Sequence, residues 1–347
     1  MTSASELSSE PRRSRVWLYL PFALLFVLAC AWSAAWYWAA GKAGETIDVW
    51  LQREADRGRV YACGGRSIGG YPFRIEVDCA DPTARVAVEG GEAHVRAPRF
   101  VALAQVWDPK RVIGELTGPV AFTLPDGRKG ELSFASAQGS ASAEGRRLQR
   151  GSLVLGSPRL ELDGEEIASA AAFEGHLRRS PETAGAYDVA ATVEGGLSPF
   201  VAAFPVGQGP VQIELQAQAT ELDSQRPGPL AERLRTFAQA GGRVNVTLAK
   251  ITRGDVAAQA KGDLALDLDG RLNGSVDIAA RGVDELINSM VGGGGEDTVS
   301  ALLGMGAKML GKKTELDGKP ATRYRLKLDR GRVALGPVKL TRVPPAF

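Results

Sequence analysis

Hydrophobic and polar residues follow three successive patterns along the chain. The first is an apolar block: from Val16 to Ala40 no residue carries a charge. As a helix rising about 1.5 Å per residue, it extends ~37 Å, enough to cross a ~30 Å hydrocarbon layer with some tilt. The second pattern is short and helical in period. Ile47, Trp50, Leu51 and Ala55 form one stripe and Gly58 stands where a helix-ending glycine belongs, which predicts a juxtamembrane helix over 41–58. The third pattern fills the rest of the chain and has a period of two. Val211, Ile213, Leu215, Ala217 and Ala219 alternate with Gln212, Glu214, Gln216, Gln218 and Thr220, as in a strand with one apolar and one polar face. The same alternation returns at 74–79, 84–89, 243–248, 263–269, 275–279 and 324–329.

Turn signals separate these runs: Asp126-Gly127, Asp163-Gly164, Asp269-Gly270 and Asp317-Gly318, with Asn273-Gly274 just beyond the third. Such pairs accept the positive φ of two-residue hairpin turns. The expected fold is therefore mainly β, an elongated curved antiparallel sheet of hairpins with a few helices, preceded by one N-terminal transmembrane helix. Helical exceptions are the segment from Pro229 to Gly241, with proline in its first turn and glycine at its end, and an insertion over 283–310. In that insertion Val283, Leu286, Ile287 and Met290 lie on one stripe, and Val299, Leu302, Leu303 and Met309 on another, with Gly292 to Gly295 between them. The domain organisation that follows is a cytoplasmic tail over 1–15, an anchor over 16–40, a juxtamembrane helix over 41–58 and a periplasmic β-rich domain over 59–347. Two lobes are expected to meet near 180–195, where Pro, Gly and polar residues collect. One-sided alternation leaves an apolar face that a second sheet, helices or a ligand has to cover.

Charge sets the orientation. Arg12, Arg13 and Arg15 precede the apolar block and only Lys42 follows it closely, so the positive-inside bias keeps the N-terminus cytoplasmic and exports everything after Ala40. Trp17 and Tyr19 at one end, and Trp32, Trp36, Tyr37 and Trp38 at the other, suit interfacial belts. The block is longer than the core of a signal peptide and runs past Cys30, which favours an uncleaved inner-membrane anchor over a cleaved leader or a lipoprotein. A formal net charge of +2, with arginines scattered among acids, gives no nucleic-acid footprint. Of three cysteines, Cys30 lies in the anchor, which leaves Cys63 and Cys79 on the oxidising side as a disulfide pair, with two unpaired thiols as the alternative. The segment Gly69 to Cys79 then reads as a stapled hairpin, its start shaped by glycines and Pro72, with Cys79 pinned to Cys63 near the membrane-proximal end of the sheet.

Catalytic chemistry finds little footing. His94 and His176 have no spaced Cys or His partner for a metal or a triad. Gly306 to Thr314 approaches a phosphate-binding loop, but Lys313 stands where Ser or Thr should follow Lys312 to hold magnesium. Asp263, Asp267 and Asp269 read as solvent-facing and turn residues, too few for calcium. No catalytic residue, metal ligand or cofactor is assigned, and the reading is non-enzymatic. The insertion holds every methionine except Met1, namely Met290, Met305 and Met309. Those adaptable thioethers, with Leu302 and Leu303, are the candidate contacts for lipid or a partner; the plainer role is a helical lid that completes the core.

The Gly69-Gly70-Tyr71-Pro72-Phe73-Arg74 opening with Cys79 beyond it, and the closing run from Asp329 to Pro337 with Pro344-Pro345, resemble an uncharacterised bacterial family labelled domain of unknown function 2125. The resemblance covers nearly the whole exported chain and implies no established activity. A looser likeness joins Gly262 to Gly282 to strand repeats of the AsmA and TamB type, and it implies a long curled sheet that carries phospholipid in a groove. These lines converge on one expectation: an inner-membrane-anchored periplasmic protein whose apolar β-groove binds lipid or a lipid-like envelope component in envelope maintenance. The alternative is a scaffold that binds another envelope protein through sheet edges or the Met-rich insertion.

Overall fold

The computed structural model describes residues 16–88, 90–145, 147–199, 201, 207–224, 229–282 and 311–347. The insertion expected over 283–310, and with it Met290, Leu302, Leu303, Met305 and Met309, lies outside the described residues, as does the tail expected over 1–15.

Val16–Ala55 is one helix, α1, long and apolar enough to cross a membrane. The apolar block and the helical-period segment after it are thus continuous instead of two helices. Pro21 stands near the start of the helix, no proline lies at the junction of the two segments, and Lys42 bridges to Glu45 at 2.6 Å one turn on. The chain leaves the helix at a turn ending in Gly58, whose φ is 77°.

Past that turn the strands come as creased pairs. Arg59–Ala62 (β1) is followed after two residues by Gly65–Gly69 (β2), Arg74–Ala80 (β3) by Thr83–Val88 (β4), and Gly91–Arg96 (β5) by Arg99–Gln105 (β6). Asp108–Thr117 (β7) leads in the same way to Val120–Thr123 (β8), Lys129–Ser133 (β9) to Ser136–Glu144 (β10), Arg147–Gly156 (β11) to Arg159–Leu162 (β12), and Glu165–Ser169 (β13) to Ala172–Arg179 (β14). One member of every pair belongs to a 7-stranded sheet ordered β1-β4-β5-β8-β9-β12-β13 and the other to a 16-stranded sheet. Each pair is therefore a single long strand bent at a two-residue corner. Four corners place proline second, at Pro82, Pro98, Pro119 and Pro158, where the missing N–H interrupts the ladder and the fixed φ turns the chain. Pairing resumes across the crease: Asp81 N–H donates to Pro98 C=O at 2.9 Å, and Ala97 N–H to Pro82 C=O at 3.0 Å.

The large sheet continues alone through Tyr187–Gly196 (β15), Val211–Ala219 (β16), Arg243–Arg253 (β17), Val256–Leu266 (β18) and Leu272–Arg281 (β19). It ends with Lys312–Leu316 (β20), Lys319–Asp329 (β21), Arg332–Leu335 (β22) and Val338–Arg342 (β23). Among the described residues neighbouring strands pair antiparallel, as the hairpin signals predict. Ser180 to Gly195 forms the tip and second strand of the β14–β15 hairpin; the large sheet runs on through it, and what ends beside it is the small sheet. Leu230–Gln239 (α2) fills the β16–β17 connection, with Pro229 before it and Gly241 (φ 72°) after it, and it buries Phe237 and Ala238.

Two local expectations change. Asn273-Gly274 is not a turn: the Asp267 carboxylate accepts N–H groups from Asp269 and Arg271 and closes the reversal before it, so both residues lie in β19. For the same reason the strand expected to reach Asp269 stops at Leu266.

Cys63 and Cys79 are joined, with Cα atoms 5.5 Å apart. Cys63 opens the first corner and Cys79 lies next to the last residue of β3, so the bond clasps the crease. The Gly69-to-Arg74 turn is at the other end of β3, about 20 Å away at the ordinary strand rise. Removing the bond reopens a loop with a sequence separation of 16 residues. The Cys63→Ser/Cys79→Ser chain is expected to lose about 3 kcal/mol of stability in denaturant titrations, and mass mapping of the unreduced native chain should recover the two cysteines in one linked peptide.

Candidate functional site

Alternation and register together build a long apolar surface on the large sheet. Across the middle of the strands Val77 pairs with Ala102, Ala102 with Gly114, Gly114 with Gly139, and Gly139 with Leu153. The row continues through Gly175, Ala191, Leu215, Ala249 and Ala260 to Ile278 and Tyr324. A second row starts at Ile75 and ends at Leu326, and a third starts at Cys79 and ends at Thr322. Along the path of neighbouring strands from β3 to β21 none of these rows contains a charged side chain; Lys313 of β20, off that path, stands beside Thr322 at the end of the third row. At ~4.8 Å per strand the surface is about 50 Å long.

The crease closes over this face. Nearest the bend, the buried residues are on the apolar side, Cys79 at 3% and Ala137 at 6% exposure, while Ala80, Arg99 and Ser136 beside them on the polar side are exposed. Closure is partial, since Phe100 beside Cys79 keeps 38% of its surface accessible. Farther from the bend Val112 and Leu153 keep 41% and 45%, and past the last corner Ile213 and Ile251, in the same row as Cys79, keep 38% and 44%, far more than core residues of a covered sheet retain. The small sheet repeats the pattern, with Val95 opposite Phe122 on one face and Arg96 beside them on the other. The outcome is a trough with an apolar lining, bounded by the crease along its first strands and open along its far side.

One end of the trough is seated on α1, through the opening motif. Gly70 has φ 98°, and a Cβ there would meet the Arg74 carbonyl oxygen at 2.7 Å, so only glycine makes this turn. The turn meets the helix through polar contacts. Trp32 Nε1 donates to Pro72 C=O at 2.9 Å, Trp36 Nε1 donates to Arg74 C=O at 2.9 Å, and the Ser33 and Tyr71 hydroxyls share a hydrogen bond of 2.8 Å. The Tyr71 ring stands edge-on to Trp36 at 5.5 Å and stacks on Tyr37 at 6.1 Å. Farther along, Asp48 pairs with Arg66 of β2 at 2.7 Å, Glu54 pairs with Arg59 of β1, and Trp50 stacks on Tyr61 at 5.3 Å. Between them Gly44 faces Ile68, the apolar neighbour of Val77 in the middle row. The helix thus borders the trough at its first strand.

The opposite face of the large sheet is polar and carries cross-strand ion pairs: Asp78 with Arg99, Asp188 with Arg178 at 3.0 Å, and Asp277 with Arg325 at 2.7 Å. Hydrogen bonds from these arginines hold the Asp78 and Asp277 carboxyls below the usual carboxylate range; at Asp188 the Gln218 amide contributes most and Arg178 adds to it. A hollow of about 950 Å³ on this face includes Ser140, Ser152, His176 and Asp188. Its polar groups are engaged with their neighbours. Ser140 and Ser152 share a hydrogen bond of 2.8 Å, His176 meets only Glu174 at 3.4 Å, and Asp188 is held by Arg178 and Gln218. Among the described residues no group of three His, Cys, Asp or Glu side chains converges as for a metal. Lys312, Lys313 and Thr314 of the near-phosphate-loop stand in strand β20.

Of the residues singled out in the sequence, Gly70, Tyr71, Pro72, Phe73 and Arg74 form the seat on the helix, and Cys63 with Cys79 the clasp of the crease. The five insertion residues are outside the described residues. The trough lining and Trp107 were missed. Phe73 C=O accepts Val106 N–H at 3.1 Å, and the Phe73 and Trp107 rings lie 6.3 Å apart at the tips of adjacent hairpins. A signal existed, because five of the 6 tryptophans are in α1 and Trp107 alone is in the sheet.

The chain matches the family described as "Uncharacterized protein conserved in bacteria (DUF2125)" over residues 36–344, and it belongs to that family. The matched region starts at Trp36, whose indole holds the turn. No curated protein matches the sequence.

Substituting Trp36→Leu strands the Arg74 carbonyl and removes the ring contact with Tyr71. The β2–β3 turn should loosen by about 2 kcal/mol, read as amide exchange about thirtyfold faster at 70–74 and at Val106; Tyr71→Phe should cost about 1 kcal/mol or less. Acid should weaken the polar face. The depressed carboxyls add stability that is complete above their unfolded pKa of about 4 and is lost as pH falls through their lower folded values. Urea midpoints measured against pH should therefore fall below pH ~4, and less steeply in the Asp188→Asn and Asp277→Asn chains.

Proposed function

We propose that the chain is anchored in the inner membrane by residues 16–40, that its sheets lie in the periplasm, and that the trough binds acyl chains of phospholipid or a similar envelope component without catalysing a reaction. One observation carries this reading: three adjacent rows across the large sheet, from β3 to β21, contain no charge, and much of their surface is open. Each CH₂ moved from water onto such a lining gains about 0.8 kcal/mol. The occupant is better matched by hydrocarbon than by peptide. The strands beneath the trough spend their backbone hydrogen bonds on each other, and side-chain hydroxyls in the three rows come only at Thr322 and Tyr324, on the last strand of the rows. A peptide would find few partners there for its own polar groups, whereas an acyl chain needs none and its headgroup can stay in water along the open side.

Photocrosslinking in cells expressing the full chain tests this. A benzophenone residue at Leu153 or Ile213 should yield adducts carrying phospholipid mass, while one at Gln216 or His176 on the polar face should not. Protein adducts at the trough positions, or lipid adducts equally frequent on both faces, would replace this reading with the scaffold.

A further inference from the structure

The anchoring helix and the sheet meet at a level fixed by α1 itself. Counting ~1.5 Å per residue from Trp17, a ~30 Å hydrocarbon layer ends near Trp36, so Trp32, Trp36, Tyr37 and Trp38 mark the outer boundary. The β2–β3 turn is bonded to that part of the helix, with Pro72 against Trp32, Tyr71 against Ser33 and Arg74 against Trp36. The β6–β7 tip is tied to the turn by the Val106 to Phe73 hydrogen bond. Both tips are therefore level with the aromatic belt.

Their composition suits that level. Residues 70–73 and 106–107 carry no charge, and Arg74, Asp108, Lys110 and Arg111 begin directly behind them. Tyr71, Phe73 and Trp107 are 51%, 61% and 63% exposed, comparable to Tyr37 and Trp38 at 68% each on the helix. In water three large rings this open at neighbouring turns incur an avoidable penalty, whereas at a membrane interface they are the preferred residue types. Polar neighbours of the rings are already satisfied, since the carbonyls of Pro72 and Phe73 both accept hydrogen bonds.

We infer that the tips of the β2–β3 and β6–β7 hairpins insert into the outer interface of the bilayer that α1 crosses, with Tyr71, Phe73 and Trp107 extending the aromatic belt of the helix onto the sheet. The partner is the lipid surface itself, with Lys110 and Arg111 placed to meet anionic headgroups. Insertion puts the mouth of the trough at β3 and β6 in contact with the leaflet. The inference rests on α1 crossing the membrane and not on what the trough carries, so the two readings fail separately.

Depth measured by spin labelling decides it. In a Cys30→Ala background the disulfide leaves no free thiol, so Phe73→Cys, Trp107→Cys and the control Gly127→Cys, at an exposed turn of the small sheet, can each be labelled in the full chain. Reconstituted in nanodiscs of phosphatidylethanolamine and phosphatidylglycerol, labels at 73 and 107 should collide with oxygen and be several-fold less accessible to a water-soluble nickel chelate than the label at 127. Equal chelate access at all three positions would overturn the inference. A chain without labels gives an independent reading: brominated phospholipid should quench a fluorescence component that disappears in Trp107→Phe, and an unquenched difference between the two chains would also overturn it.

Discussion

Strand register is the constraint on which the rest of the structure depends. In a sheet of period two, a slip of one residue moves a strand's whole apolar set to the other face. Here the three apolar rows stay in phase from β3 to β21 although the chain passes repeatedly between two sheets on the way. The corners make this workable. Each inserts the same two residues between the strands it joins, so every excursion into the small sheet returns the chain to the large one with the same parity. Bulges such as the one between Gln216 and Ala217 absorb single extra residues without exchanging the faces around them.

From register follows an unusual division of labour between stability and surface. The buried cluster among the described residues is small, Ala257 with Leu316 and Ala321, and no large side chain there is wholly buried. Ladder hydrogen bonds and half-buried cross-strand pairs carry the fold instead, each worth about a kcal/mol or less. Exposed ion pairs on the polar face add little individually, and their role is to fix register and keep that face in water. Two local devices reinforce the first strands, where neighbours are fewest: the disulfide clasps the crease, and α1 is tied to β2 and β1 by paired charges at Asp48 and Glu54. Rigid attachment to the helix then passes from β3 to the whole sheet through continuous pairing.

Much of this was legible in the sequence, and the losses have physical causes. The apolar block, the one-sided strands, the cysteine pair and the α2 segment announce themselves through period, length and punctuation. The crease does not, because Asp81-Pro82 or Ser157-Pro158 has the composition of a reversal, and local pattern cannot distinguish a chain that reverses from one that bends. Asn273-Gly274 misleads for a related reason: the turn it advertises was completed by the Asp267 carboxylate a few residues earlier. The seat on α1 joins residues separated by 38 to 40 positions, and nothing between Trp36 and Tyr71 records that the two rings meet. The trough was visible as alternation but not as a surface, since rows across strands exist only once the register is known.

The composition of the middle row sets the relief of the trough floor. Gly114, Gly139 and Gly175 stand in strand interiors, where glycine costs roughly 0.5–1 kcal/mol against alanine and gives up the packing a valine or isoleucine would provide. Ala102, Ala191, Ala249 and Ala260 are small as well, but Leu153 stands between Gly139 and Gly175, and Leu215 between Ala191 and Ala249. Neighbouring rings recover part of the packing the glycines give up: a Cβ at Gly114 would meet the Phe100 ring at 3.1 Å, and one at Gly175 the Phe173 ring at 3.3 Å. Small and large residues thus alternate along the row, with the Phe100 and Phe173 rings leaning over two of its glycines, and the floor of the trough is an uneven apolar surface. Under the proposed function, a flexible acyl chain is an occupant able to follow such relief, where a rigid one would meet it only in places.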